Sequence, residues 1–126
     1  MWISEEYVFA LSLTNLNINA LEVSGNNLFA ATAGGGVFLS TNNGTLWNTV
    51  NNGLSNLTVT SLTISYNIIF AGTQGGGIFA SSNSGTNWIT LNNNISNLNI
   101  LSLSTNGSVK IAGTQSGDVY TSTNTR

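Results

Sequence analysis

Cysteine and histidine are absent from the 126-residue chain, and only Lys110 and Arg126 are basic. Without cysteine there is neither a disulfide nor a thiolate metal site, and cysteine usage says nothing about redox compartment. Two basic residues leave no electrostatic footprint for nucleic acid or anionic lipid, because both are held through clustered lysine and arginine. Charged residues of either sign make up only 5% of the chain, against about 25% in an average soluble protein. No apolar run reaches the roughly 18 residues that membrane insertion by a helix needs. The first residues, Met1-Trp2-Ile3-Ser4-Glu5-Glu6, are acidic where a secretory signal is cationic. Either a signal has been removed, or the chain comes from something longer, or export does not apply.

Neutral polar residues take the place of charge, with 21 Asn and 14 Gly. The 40% hydrophobic content is sufficient for a core, so disorder from low hydrophobicity is not expected. An Asn/Ser/Thr-rich, almost uncharged composition fits an extracellular or cell-surface protein. The arrangement of these residues is periodic. Trp47 recurs as Trp88, Gly34-Gly35-Gly36 as Gly75-Gly76-Gly77, and Phe29-Ala30 as Phe70-Ala71, each 41 positions on. A third copy keeps Ala112-Gly113-Thr114-Gln115 against Ala71-Gly72-Thr73-Gln74. A fixed period of this length marks one supersecondary unit packed on its own copies.

The middle copy is the cleanest. Thr58–Ile64 alternates apolar and polar residues with one slip, and Ile68–Thr73 is a short apolar run of the kind a buried strand gives. After the turn at Gln74-Gly75-Gly76 come Gly77–Ser81, a second turn at Asn83-Ser84-Gly85, and Asn87–Leu91. No segment has a helical period. Four short strands in 41 residues predict an all-β fold of β-propeller blades, three per chain. A β-solenoid, with two stacked coils per period, is the alternative.

The second turn carries a motif. Ser40, Asn42, Gly44 and Trp47, and again Ser81, Asn83, Gly85 and Trp88, spell Ser-x-Asn-x-Gly-x-x-Trp. This resembles the Asp-box (BNR) repeat of sialidase-like propellers, with Asn in place of Asp in both copies. The swap keeps a side-chain acceptor for the turn backbone and loses the charge, Gly supplies the positive φ, and Trp covers the hairpin. The third copy, Ser122-Thr123-Asn124, stops before Gly and Trp. The motif argues against the solenoid. The resemblance implies a structural hairpin that serves many activities, and so it does not imply a reaction.

Sialidases would need an arginine cluster, a tyrosine nucleophile with a glutamate, and an aspartate acid/base. This chain has one arginine, at its last residue. Its acids, Glu5, Glu6, Glu22 and Asp118, fall at unrelated repeat positions, whereas glycosidases need a facing carboxylate pair. Lacking His and Cys, the chain also lacks most general-base and nucleophile pairings. Calcium wants several converging carboxylates or carbonyls. The glycine triplets are followed by no helix and no P-loop Lys, so they read as tight turns and not as a phosphate cradle. The expectation is a non-enzyme with no catalytic residue, metal or cofactor.

Subtracting one period places Phe9 under Val50 and Leu13 under Leu54. Residues 5–11 therefore hold the place of a fourth strand whose first three strands run from Asn99 to Thr123. The 1–126 unit reads as a circular shift of three blades. Three blades are too few for a ring of four to eight, and bare strand edges invite pairing. If strand 5–11 of one chain completes the last blade of another, two chains give six blades and three give nine. A dimer is preferred over a trimer or a filament.

Binding is the remaining function. The loops leading into the next blade, with the turns beside them, offer a neutral amide face at Asn52, Asn56, Gln74, Asn93, Asn97 and Gln115. Amides both donate and accept, which suits sugar hydroxyls or peptide backbone, although Asn also simply fills turns. Two readings follow: a self-associating interaction or scaffold module, or a lectin-like propeller for neutral glycans. Sugar sites usually stack a ring, yet Tyr66 is not repeated, and Tyr120, aligned with Phe38 and Phe79, reads as strand core. That favours the first.

Overall fold

A computed structural model describes residues 16–123, so the expected strand over 5–11 lies outside the described residues. Eleven strands are described. They are β1 (Ile18–Ser24), β2 (Asn27–Thr32), β3 (Gly36–Ser40), β4 (Asn48–Thr49), β5 (Val59–Ser65), β6 (Ile68–Thr73), β7 (Gly77–Ser81), β8 (Ile89–Thr90), β9 (Ile100–Thr105), β10 (Lys110–Thr114) and β11 (Val119–Ser122). They form three separate antiparallel sheets, β1-β2-β3-β4, β5-β6-β7-β8 and β9-β10-β11. There is no helix among the described residues. Each sheet is a meander in chain order, which is the blade arrangement that the period predicts and not the stacked coils of a solenoid.

Local chemistry explains the elements. The slip in alternation near Thr60 is a β-bulge, since the β5–β6 register shifts between Val59 and Ser61; the same shift occurs in β1 between Ile18 and Ala20. One extra residue there bends the strand and changes which face the side chains take. The first and second sheets share a buried core of Phe29, Val37, Leu54, Val59, Leu62, Ile69, Phe79 and Trp88. A smaller one, Ile78, Ile100 and Ala112, joins the second sheet to the third.

The sheets are also tied through backbone. Isolated antiparallel bridges link Ala33 with Thr58 and Gln74 with Asn99. The amides of Gly34 and Gly36 donate to the Leu57 carbonyl at 3.0 and 2.9 Å; those of Gly75 and Gly77 donate to Leu98 at the same distances. The glycine triplets are tight turns, as the sequence predicts. Their amides face the strand that opens the next blade, so they do not form an anion cradle.

Candidate functional site at the blade junctions

The two Ser-x-Asn-x-Gly-x-x-Trp turns are built alike. Ser40 Oγ accepts from the Gly44 amide (2.8 Å) and donates to Asn42 Oδ1 (3.0 Å), which also accepts from the Leu46 amide (3.0 Å). Ser81 and Asn83 repeat this with Gly85 (2.8 Å), each other (2.9 Å) and Asn87 (2.9 Å). A neutral amide thus does the turn-holding work of a carboxylate. Asn43 and Gly44, like Ser84 and Gly85, have positive φ. Trp88 is buried and its ring lies over Gly85, 3.7 Å from where a Cβ would stand. It also reaches the preceding blade, where its Nε1 donates to the Val50 carbonyl at 2.7 Å. The indole therefore closes its own turn and rivets two blades. Trp47 is only half-buried, and Phe9, one period before Val50, lies outside the described residues.

A second device escaped sequence reasoning. Asn51 Oδ1 accepts from the Val37 amide (2.8 Å) and its Nδ2 donates to the Gly35 carbonyl (3.0 Å). Asn92, 41 positions on, makes the same pair with Ile78 (2.8 Å) and Gly76 (3.1 Å). The amide occupies the space where Gly36 or Gly77 would carry a Cβ, and both glycines have φ near +78°, so no other residue fits. From beneath, Thr32 Oγ1 donates to the Gly36 carbonyl and accepts from the Gly35 amide (2.8 and 3.1 Å). Thr73 does the same for Gly77 and Gly76 (2.8 and 3.0 Å). The signal was present as the 41-residue recurrence of both residue types, but Asn is so abundant that its recurrence did not stand out.

The six amides proposed as a binding face divide into different settings. Asn56 and Asn97 are half-buried and engaged. Asn56 Oδ1 accepts from the Thr58 amide and its Nδ2 donates to the Gln74 carbonyl, both at 3.0 Å. Asn97 Oδ1 accepts from the Asn99 amide at 3.0 Å while its Nδ2 meets Ser116 Oγ. Asn52 lies against the following blade's turn, with its Nδ2 on Asn87 Oδ1 and its carbonyl accepting from the Trp88 amide. The side chains of Gln74, Asn93 and Gln115 are exposed. The structure joins Asn56 with Gln74, while Asn52, from the same connection, meets a different turn of that blade at Asn87 and Trp88.

Asn93 lines a feature with room for a ligand. This is a cleft of about 540 Å³ between the second and third sheets, lined also by Phe70, Ile78, Leu91, Ile95, Lys110 and Tyr120. The Lys110 ammonium sits 5.7 Å from the centre of the Phe70 ring. Tyr120 is not simple strand core. Its hydroxyl lies 3.3 Å from the Ser96 amide, 3.2 Å from Ser96 Oγ and 3.4 Å from the Asn97 amide. The side-chain hydrogen bond from Ser96 and then the backbone one hold its pKa below the usual phenol value. Tyr66 is exposed, at the tip of the β5–β6 turn with positive φ.

Sheets of this kind, set side by side by a constant repeat, define the protein as an array of propeller blades. Solved structures agree. The chain is similar to YCF48 from Cyanidioschyzon merolae (18% identity, TM-score 0.66, covering 87% of this chain and 35% of that one). It is similar also to an ancestral GH74 enzyme (23% identity, TM-score 0.66, 86% and 17%). Both are propeller proteins, and the chain spans about a third and a sixth of their lengths. A computationally designed protein, Ika4, matches at 14% identity and a TM-score of 0.51, over 90% of this chain and 95% of that one. At such identities the likeness is one of fold. No family model matches the sequence, and no curated protein matches it.

Proposed function

We propose that the chain is a non-catalytic, Asp-box-like propeller module with a structural or scaffold role, acting by association with itself, at the cell surface or outside the cell. The observation that carries this reading is where the polar groups go. Asn51, Asn56, Asn92 and Asn97, with Thr32 and Thr73, all serve turns and blade junctions. These amides and hydroxyls are thus directed to holding the turns and the connections that lead from blade to blade. The turn motif supports an Asp-box assignment, because Asn42 and Asn83 make the contacts a box residue must make. Residues 5–11 supply a fourth strand to the last blade of a neighbouring chain, giving a six-bladed dimer. Glu22 lies in β1 and Asp118 in the turn before β11, two sheets away, which favours a non-enzyme.

A lectin-like role is the second reading, favoured by the cleft where Tyr120, Asn93 and Lys110 meet. Light scattering on a sizing column separates the two. A discrete two-chain mass supports assembly. A single-chain mass at all concentrations overturns it, and isothermal titration of neutral oligosaccharides, with loss of binding in Asn93→Ala, would then establish the lectin.

A further inference from the structure

Repeat symmetry gives every blade two faces, and the internal junctions show what each face meets. The first sheet turns Phe29 and Val37 toward Val59 and Leu62 of the second. The second sheet turns Ile78 toward Ile100 and Ala112 of the third. One period away from these residues lie their counterparts at the two ends of the array. Leu62 is 6% exposed, but its counterpart Leu21 in β1 is 67% exposed, and Ile18, the counterpart of buried Val59, is exposed as well. Ile78 is 9% exposed, but its counterpart Val119 in β11 is 62% exposed, and Ile111, the counterpart of buried Phe70, is exposed as well. Apolar side chains in water at both ends therefore occupy the positions that are buried wherever a neighbouring blade exists.

We propose that these two faces dock on each other between copies of this chain, with Ile111 and Val119 of one copy seated on Ile18 and Leu21 of the next. This rests on the self-association reading and assigns its interface. The occupant follows from continuity. The surface that fits the Ile111–Val119 face is the one that fits Phe70–Ile78, namely the first two strands of a following blade, where Ile100 and Ala112 meet Ile78 and Lys110 lies over Phe70; the chain's own counterpart is β1 with β2, and in β1 Ile18 and Leu21 are exposed. Such a contact joins two different patches, so it is heterologous, and it closes into a ring only if its rotation divides a full turn.

The experiment compares solution masses of the full chain with those of Leu21→Lys and Val119→Lys. A third variant, Ile89→Lys, is the control, because Ile89 is 60% exposed on the internal blade and thus faces outward at every junction. We expect wild type and Ile89→Lys to show a two-chain mass and each of the other variants to fall to half of it, with strand circular dichroism retained. Where a lysine variant loses that signal, Leu21→Ser or Val119→Ser replaces it. Mixing Leu21→Lys with Val119→Lys restores a two-chain species, since one intact face remains on each partner. A mixture that stays at one-chain mass overturns head-to-tail docking. A wild-type oligomer whose mass is unmoved by either variant overturns this interface and leaves self-association standing. A one-chain wild type overturns both.

Discussion

The junction between the first two blades and that between the second and third are built from the same repeat, yet they differ in how they are filled. At the first, Trp88 comes back from the following blade, caps Val50 and completes a continuous core. At the second, Lys110 stands at the repeat position of buried Ile69, Tyr120 at that of buried Phe79, and a cleft of about 540 Å³ remains between the sheets. The backbone ties are nearly alike, with the Leu57 and Leu98 carbonyls each accepting from a glycine turn. Hydrogen bonding thus sets the spacing of blades, and the identity of a few side chains decides whether the space between them becomes core or cleft.

The largest expected effect comes from making the first junction resemble the second. Trp88→Ala removes a buried indole and should destabilise the fold by about 3–5 kcal/mol in denaturant unfolding. Trp47→Ala, at a half-buried site, should cost clearly less; equal losses would contradict the rivet described for Trp88. Next comes the amide that both junctions share. Asn92→Ala leaves the Ile78 amide and the Gly76 carbonyl without their partner, at about 1–3 kcal/mol for each group left unsatisfied. Asn92→Asp, which keeps the acceptor and loses the donor, should cost less than Asn92→Ala, and Asn51 should respond in parallel.

The smallest effect is spectroscopic and separates the open junction from the closed one. The hydrogen bonds from Ser96 and Asn97 favour the Tyr120 phenolate, so its folded pKa lies below the unfolded one. It therefore adds stability as pH rises through the folded pKa, and that contribution is lost as pH falls through it. In an ultraviolet titration phenolate absorbance should begin to rise below the usual tyrosine range, and Tyr120→Phe should remove that early rise. An unchanged profile would detach Tyr120 from Ser96.

Much of the blade could be read in advance because its signals are periodic. Ile68–Thr73 and Gly77–Ser81 coincide with β6 and β7, and the slip in Thr58–Ile64 is a real bulge. The box turns follow from Ser, Asn, Gly and Trp at fixed offsets. The candidate site was harder to read. Asn52, Asn56 and Asn97 look equivalent as exposed loop amides, but their roles depend on which groups the next blade brings within reach. Asn51 and Asn92 were hidden for the same reason: a side chain that bonds 14 and 16 residues back along the chain leaves no local trace. Tyr120 reads as core in the sequence because its aligned neighbours are phenylalanines, and only its hydroxyl distinguishes it.

The staples at Asn51 and Asn92 have one further consequence, which concerns age. Each works because one side chain both donates and accepts. Hydrolysis of that amide to a carboxylate, a slow reaction that every asparagine undergoes in water, removes the donor and places a negative charge against the Gly35 or Gly76 carbonyl. A fold held by neutral amides is little exposed to salt or mild pH change. What it depends on instead is the chemical integrity of a few particular amide nitrogens.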